Sequence, residues 1–355
     1  MLGKLRRTNN KSREQIRLAY SDVIKLNVME EGLSEIDLSG YPKLEHLCVN
    51  YNQLTKLDLS HTPKLRVLRC RKNQLINLDL AHTPNLEILD IGWNNLTALD
   101  LSHSLKLIEL GCDNNNLGKI DFPLMADLIK LDCSSARLME LDLSQMPHLK
   151  QLDCSGNKLS SLDLSAISDL GELQCSDIGL KTLDLSPVHN LKFLMCSKNK
   201  FVSLDLHSLQ SLLSLTCCCN ELPELDLSHT PNLVLLKCDG NQLVDIDLSQ
   251  VPSLRYLFCY DNNLSALNLS HVQDLKWIRC ETGTLKATDI NTLNKKSHDE
   301  TQTSFVIIFK LSHGIIATAV VPPQCAPSPQ YSYAYITGLP PPTRAAATCR
   351  RRTIR

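Results

Sequence analysis

The chain has 355 residues, with 37 Lys and Arg against 38 Asp and Glu, and only 5% of its residues are aromatic. Its 67 leucines lie almost entirely before residue 300, which is typical of a repeat array rather than of a globule with one central core. A net charge of −1 argues against a general binder of polyanions.

Residues 1–32 are predicted to form a basic segment and an N-terminal capping helix. The opening stretch MLGKLRRTNNKSREQ has no apolar core of the kind that a secretory signal peptide requires. Residues 12–30 place Ile16, Leu18, Val23, Ile24 and Leu26 in an amphipathic pattern, so a helix that covers the first repeat is expected there.

Residues 33–290 repeat with a period of 21 residues and without insertions. The unit reads LxxLxCxxNxLxxLDLSxxPx, as in Leu65, Leu68, Cys70, Asn73 and Asp79. The acidic residue of its LDL motif recurs at Asp37, Asp58, Asp79, Asp100, Asp121, Asp142, Asp163, Asp184, Asp205, Asp226 and Asp247, and Asn268 takes the twelfth place. Since one unit cannot bury its own leucines, about 12 neighbouring units must stack and share a core.

This unit resembles the leucine-rich repeat, and its cysteine and LDLS motifs are similar to the 21-residue repeats of bacterial secreted, surface and effector proteins. The resemblance covers roughly residues 33–290 and implies a solenoid with a binding role. It names no partner.

The alternation of Leu68 and Cys70 with Arg69 and Arg71 predicts a strand in each unit. The expected fold is therefore a repeat solenoid, an arc with a parallel β-sheet on its concave face. The run LDLS alternates in the same way and predicts a second, narrower strand ladder on the convex face, while the prolines that follow several copies indicate turns.

Cysteine occupies one inward position in ten units, at Cys70, Cys112, Cys133, Cys154, Cys175, Cys196, Cys217, Cys238, Cys259 and Cys280. Val49 and Ile91 take the same place, so we interpret the cysteine as a small hydrophobic residue. Neighbouring parallel strands give poor disulfide geometry, and a straight row does not supply the four converging ligands of a zinc site. No metal and no cofactor is expected.

Three further rows receive structural interpretations. The recurring asparagine, as at Asn73, is expected to satisfy backbone groups where the strand bends, with breaks at Ala136, Ile178 and Gly283. The aspartates are expected to cap the turns that follow them. The histidines after LDLS or LDLA (His61, His82, His103, His229 and His271) are expected to be exposed turn residues.

The outward strand positions divide into three zones, where side chains free of packing are expected to bind a partner. The basic zone comprises Arg69, Arg71 and Lys72. The acidic zone comprises Asp90, Glu109, Asp113, Asp132, Asp153, Glu172 and Asp177, offset by Lys130. The aromatic zone comprises Phe193, Met195, Leu235, Tyr256, Phe258, Tyr260 and Trp277, edged by Lys237 and Arg279. Aromatic anchors within a polar rim are typical of protein interfaces, although the chain's own tail is a second candidate occupant.

Residues 291–355 lose the leucine register and are predicted to form a C-terminal cap or a poorly ordered Pro-rich tail. The apolar stretch 304–321 contains Lys310 and His313, which argue against a membrane-spanning helix. A β-rich cap or a poorly ordered tail is favoured over a membrane segment.

The sequence contains none of the common catalytic motifs, so no catalytic residue is assigned. Cys218 and Cys219 flank a strand, but no base is expected beside them. We therefore predict a non-enzymatic module that binds a protein on its concave face, as a bacterial host-directed effector in the bacterial or host cytosol. Nucleic acid is disfavoured by the acidic zone. The alternative is a surface-associated structural or adhesive protein anchored through residues 304–321.

Overall fold

A computed structural model describes residues 20–280 and, as backbone strands, residues 306–311 and 314–317. Thirteen strands of three residues recur at 21-residue intervals: β1 Lys25–Asn27, β2 His46–Cys48, β3 Val67–Arg69, β4 Ile88–Asp90, β5 Glu109–Gly111, β6 Lys130–Asp132, β7 Gln151–Asp153, β8 Glu172–Gln174, β9 Phe193–Met195, β10 Ser214–Thr216, β11 Leu235–Lys237, β12 Tyr256–Phe258 and β13 Trp277–Arg279. They form one parallel sheet in sequence order. The predicted solenoid with a parallel sheet is confirmed.

The two ends of the sheet lie in the segments that flank the predicted repeat array. At the start, residues 25–27 form β1 and not part of the predicted capping helix, because Leu26 continues the inward row of Leu47. Residues 1–19 lie outside the described part of the chain. At the other end, β14 Val306–Leu311 pairs in parallel with β13, and β15 Gly314–Ala317 returns antiparallel to β14. Within the described residues, no helix has the length and apolar character needed to cross a bilayer.

The core is a continuous row of leucines stacked from one repeat to the next. In the repeat that begins at Leu65, the side chains of Leu65, Leu68, Cys70, Leu75 and Leu80 are all at most 2% exposed. Leu68 pairs in register with Leu47 and Leu89, so each leucine packs against its counterparts in both neighbouring repeats. Each repeat is thereby buried by its neighbours, as expected for a solenoid.

The predicted asparagine ladder is confirmed by its hydrogen bonds. Asn73 Nδ2 donates to the carbonyls of Val49 and Cys70 at 2.9 and 3.0 Å, and Asn73 Oδ1 accepts from Leu54 N–H at 3.0 Å. The side chain therefore satisfies its own bend and the bend of the preceding repeat. The same pattern recurs at the other ladder asparagines, for example at Asn241.

The aspartate row caps turns, as predicted, and of the two structures expected for the LDLS segments, short strands or turns, the described residues form turns. Asp58 Oδ1 accepts Ser60 N–H at 2.9 Å, and this two-residue cap recurs in eleven of the twelve repeats, at Asp37, Asp58, Asp79, Asp100, Asp142, Asp163, Asp184, Asp205, Asp226, Asp247 and Asn268. Hydrogen bonds from Ser60 hold the pKa of Asp58 below its usual range. Since the carboxylate takes the backbone N–H itself, these LDLS segments are turns.

A left-handed residue ends every strand bend. It lies immediately before the ladder asparagine, at Glu30, Tyr51, Lys72, Trp93, Asn114, Ser135, Gly156, Asp177, Lys198, Cys219, Gly240 and Asp261, with φ between 52° and 70°. Only glycine adopts this conformation without cost, and asparagine and aspartate tolerate it better than bulky side chains. Residues other than these three types occupy seven of the twelve positions and carry a conformational cost there.

Candidate interaction surface on the sheet

The first and third residues of each strand point away from the core, and together with the next outward residues they form the outer face of the sheet. The middle residue of each strand is buried, as Leu257 is between Tyr256 and Phe258 in β12. The outer face therefore presents two side chains per strand, repeated along thirteen strands.

All the residues predicted for the aromatic zone lie on this face, on neighbouring strands. The first strand residues are Phe193, Leu235, Tyr256 and Trp277, the third are Met195, Lys237, Phe258 and Arg279, and Tyr260 follows β12. Tyr256 pairs in register with Leu235 and Trp277, and Phe258 with Lys237 and Arg279. The zone thus forms a strip from β9 to β13 that is contiguous from β11 to β13, while Ser214 and Thr216 of β10 separate it from Phe193 and Met195.

Within the strip, aromatic rings and cations contact each other directly. Phe258 and Trp277 stack with their ring centroids 6.3 Å apart, and Lys237 Nζ lies 5.1 Å from the Phe258 centroid. The Arg279 guanidinium lies 5.0 Å from the Tyr260 ring and 3.9 Å from the Asp239 carboxylate. Such contacts fix the orientation of the rings before any partner arrives.

Several outer-face residues are more buried than the sequence analysis expected. Phe193, Leu235 and Lys237 are 8%, 3% and 8% exposed, and Asp153 is 6% exposed. Burial also lowers the pKa of Lys237. The accessible part of the strip consists of half-buried residues, among them Tyr256, Phe258, Tyr260, Trp277 and Arg279.

The basic and acidic zones are not electrostatically separate, as the sequence analysis had assumed. Arg71 donates to Asp113 through both terminal nitrogens, at 2.7 and 2.6 Å, and also contacts Asp90 at 3.2 Å. Asp113 is 1% exposed and lies two repeats beyond Arg71. Gly92 lies between them, and a side chain at this position would overlap with both the Arg71 guanidinium and the Asp113 carboxylate. In this cluster one cation of the basic zone pairs with two carboxylates of the acidic zone, so Arg71 is not free to attract a partner's acidic groups.

Asp132 and Asp153 lie side by side in register at the ends of β6 and β7. Their carboxylates accept backbone N–H groups from Ser134 and Ser155, at 3.1 and 3.0 Å. Both aspartates therefore contribute to local turn structure as well as to the charge of the outer face.

Two features of this face escaped the sequence analysis. A serine row follows the central strands, in which Ser176 N–H donates to Ser155 Oγ at 3.2 Å and Ser197 N–H to Ser176 Oγ at 3.1 Å. In addition, Lys72 lies between two aromatic rings, with its Nζ 4.7 Å from the Tyr51 centroid and 5.4 Å from the Trp93 centroid. Reading the residue before each ladder asparagine as a row of its own would have found this second feature.

The cysteine ladder is buried and reduced. Its members are at most 1% exposed, and every cysteine that the structure describes is free. Burial, more than any neighbouring charge, raises the pKa of the Cys112 thiol far above its usual range. Cys238 Sγ instead donates to the Phe258 carbonyl at 3.4 Å. Among the described residues, no three His, Cys, Asp or Glu side chains converge as a metal site would require.

Thiol labelling of the folded chain should separate the cysteines by exposure. We expect Cys219, which is exposed, to react first, and half-buried Cys48 and Cys218 to follow. Cys218 should lag because burial raises its pKa to about 11, and the thiolate is the reactive form. The ladder cysteines should react only on unfolding. Cys325 and Cys349, also expected to react, lie outside the described residues. Mass spectrometry after timed alkylation checks this, and fast labelling of ladder cysteines would contradict it.

Comparison with known proteins supports the same architecture. A structure described as the functional domain of InlJ from Listeria monocytogenes, which includes a cysteine ladder, is 32% identical with a TM-score of 0.68 over 75% of this chain. The chain covers 64% of that domain. An internalin (inlF) from the same species is 21% identical, with a TM-score of 0.70 over 79% of this chain and 87% of the internalin, and shows the shared fold.

A third structure, the leucine-rich effector protein YopM from Yersinia pestis, is 26% identical with a TM-score of 0.65 over 74% of each chain. No protein-family model and no curated protein sequence matches this chain. The 21-residue period, the parallel sheet and the ladders of buried cysteine and asparagine show that the chain has the fold of the bacterial leucine-rich repeat proteins, and it shares a cysteine ladder with the InlJ domain.

Proposed function

We propose that the chain is a non-enzymatic module that binds a protein partner on the outer face of its sheet, centred on the strip from β9 to β13. The observation that carries the proposal is the stack of Phe258 on Trp277 with Lys237 and Arg279 packed against the rings of the strip. The chain has few aromatic residues, and a preoriented aromatic cluster edged by cations has the composition of an interface hot spot.

The likeness to YopM, which is described as an effector protein, supports a role as a host-directed effector. Free thiols throughout the described cysteines are compatible with a reducing compartment, and we propose the bacterial or host cytosol. The partner is proposed to be a protein and not a nucleic acid, because Asp132 and Asp153 lie on the same face three and two strands from the strip and would repel phosphates.

Replacing Tyr256, Phe258 or Trp277 with alanine should weaken partner binding by about 2 kcal/mol or more, roughly thirtyfold. The chain with each substitution would be compared by affinity capture followed by titration against the captured partner. Val244→Ala removes an exposed side chain elsewhere on the solenoid and is the matched control, with no expected effect on binding. Thermal unfolding of each variant separates lost contacts from lost folding.

The acidic residues supply a second arm of this experiment. Asp132→Lys should slow association and change its salt dependence more than it changes dissociation, because charge beside an interface mainly steers encounter. If the aromatic variants bind the partner normally but unfold more easily, the strip is instead covered by the chain's own tail. The interface would then have to be sought around Asp132 and Asp153.

A further inference from the structure

The row of left-handed residues contains an aromatic–cation–aromatic sandwich near the start of the sheet. Tyr51, Lys72 and Trp93 occupy the same position in three successive repeats, with φ of 58°, 54° and 56°. Trp93 is 46% exposed, and Lys72 lies between the two rings. The sandwich therefore forms part of the surface at the edge of the sheet.

The backbone at these positions makes the large side chains costly. Other repeats place Gly156, Gly240, Asn114 or Asp261 here, which are residues that accept a left-handed backbone more easily. Tryptophan and tyrosine gain nothing from this conformation, and their rings are not part of the leucine core. The left-handed backbone recurs in every repeat, so it does not indicate function; the exposed ring of Trp93 and the cation held between two rings are the features that favour a binding role.

The charge around the sandwich is positive. Lys25 and Arg69 are exposed on β1 and β3, and the ion pairs found within residues 20–280 involve neither of them nor Lys72. The pKa of His46 on β2 is lowered, first by burial and then by the charge of Lys25, and the charges of Arg66 and Arg69 act in the same direction against that of Glu45. Glu30, at the start of the row, is the nearest carboxylate along it.

The basic patch is short. Lys25, Arg69 and the sandwich cover β1 to β4, which at the usual strand spacing is about 15 Å. At its far edge, Asp90 ends β4 in register with Arg69, Arg71 pairs with both Asp90 and Asp113, and Asp132 and Asp153 follow on β6 and β7. A long polyanion would therefore run from an attractive patch onto a repulsive one. A short acidic stretch of a polypeptide fits the patch without reaching Asp132 and Asp153, and Asp90 at the edge of the patch is already paired with Arg71.

We propose that Tyr51, Lys72 and Trp93, with Arg69 and Lys25, form a second docking site, which takes a short acidic segment of a partner protein that carries an aromatic or proline side chain. Carboxylates of the segment pair with Arg69, Lys25 and Lys72, and its flat apolar side chain stacks on the exposed ring of Trp93. This site extends the proposed function to the opposite end of the sheet, and its test does not require the partner that binds the aromatic strip.

The probe is a fluorescein-labelled peptide of four acidic residues around one phenylalanine, titrated by fluorescence anisotropy against the full chain. We expect saturable binding that weakens with salt. Trp93→Asn, Tyr51→Asn and Lys72→Gln should each weaken it roughly tenfold, which is about 1.4 kcal/mol. Lys198→Gln changes a lysine in the same row far from the patch and is the matched control, with unchanged affinity.

Thermal unfolding distinguishes a binding role from a packing role. Asn114 shows that asparagine fits this position, so Trp93→Asn and Tyr51→Asn should unfold at the wild-type temperature or above it. Lower unfolding temperatures with unchanged peptide affinity would show that the rings serve packing, and would overturn the proposal.

Two further peptides and one nucleic acid complete the experiment. The peptide with glutamine in place of its acidic residues, and the one with alanine in place of phenylalanine, should bind at least tenfold more weakly. Equal binding of either peptide, no detectable binding of the acidic one, or tighter binding of a ten-nucleotide thymidine strand would each refute the site as proposed. Alanine variants of Phe258 and Trp277 should leave peptide binding unchanged, so failure of the aromatic strip and failure of this site give different results.

Discussion

Gly92→Ala is expected to lower the free energy of unfolding by about 2–4 kcal/mol, an unusually large effect for adding one methyl group. A Cβ at this position would overlap with Asp113 Oδ1 and Arg71 Nη1. Both atoms end flexible side chains and could move if they were free. They are not free, since each belongs to the bidentate pair, and Asp113 is 1% exposed. Moving the pair apart leaves a buried carboxylate without its cation, which is the costly outcome.

Two other glycines provide matched controls for this prediction. A Cβ at Gly111 would come within 3.4 Å of Asp90 Oδ1, and one at Gly171 within 3.8 Å of a backbone carbonyl, which are ordinary contacts. Gly111→Ala and Gly171→Ala should therefore be neutral or slightly stabilising, because alanine restricts the unfolded chain. Urea or thermal unfolding of the three variants measures the difference.

A double-mutant cycle identifies the cause. In a background of Arg71→Leu with Asp113→Leu, the cost of Gly92→Ala should fall to that of the control glycines, since nothing charged is displaced. If Gly92→Ala costs as much in that background, its effect comes from the backbone or from packing, and the ion pair is not the reason that glycine is needed there.

The repeat itself was predictable because each of its inward positions has one structural role that few residue types can fill. Leu68 and Cys70 had to be small or branched apolar residues, and Asn73 had to supply both donor and acceptor in a buried bend. Their periodicity alone predicted the solenoid, the sheet register and the ladders, and the hydrogen bonds confirm the assignment. Because burial allows few residue types at the inward positions, the same residues recur there every 21 residues, and this period is recognisable in the sequence.

The alternation of apolar and polar residues predicted a strand in LDLS, where the structure has a turn. There a side chain takes the hydrogen bond that a neighbouring strand's backbone would otherwise accept. Leu57, Asp58 and Leu59 show the in–out–in pattern of a strand, yet Asp58 accepts the Ser60 N–H that a neighbouring strand would otherwise receive. The pattern of apolar residues is the same for a strand and for a stack of capped turns. Asp121 illustrates the chemistry, because the residue two positions later is Pro123, which has no N–H to donate, and this aspartate contacts Lys119 instead.

The ion pairs on the outer face could not be predicted from the positions of charged residues in the sequence. Arg71 and Asp113 are 42 residues apart, and their contact depends on the absence of a side chain at Gly92. Likewise, Phe193 and Leu235 are buried on either side of Ser214, their register partner on β10. The serine is small and only 1% exposed, so the larger side chains on both sides cover it. The burial of an outer-face side chain therefore depends on the size of the side chains beside it in adjacent repeats. The repeat pattern of a sequence does not show this.

Asn199→Ala is expected to cost about 3 kcal/mol or more, since it leaves several buried backbone groups without partners at roughly 1–3 kcal/mol each. Asn199 Nδ2 donates to the carbonyls of Cys175 and Cys196 at 2.9 and 3.0 Å. Its Oδ1 lies within 3.3 Å of three backbone nitrogens, those of Ile178, Gly179 and Leu180. Ile178 interrupts the ladder at the preceding repeat, so this one amide serves a bend that has no asparagine of its own.

The natural gap at Ala136 shows what partial compensation looks like. There, Leu117 N–H donates to the Ala136 carbonyl at 3.0 Å, in place of the side-chain oxygen that its counterpart Leu96 uses. Such a backbone substitute limits the cost of a missing asparagine, but Asn199→Ala removes the acceptor for three N–H groups at once.

Hydrogen exchange provides the local readout for this variant. The amides of Ile178, Gly179 and Leu180 should exchange faster in Asn199→Ala, while the strands three repeats away keep their protection. Asn263→Ala is the control, because Asn263 is an exposed asparagine whose side chain makes one long hydrogen bond of 3.5 Å, and its removal should change stability by less than about 0.5 kcal/mol. If both variants were equally stable, or if exchange rose uniformly along the array, the ladder amide would not be what holds these bends. The solenoid would then depend on its leucine stack alone.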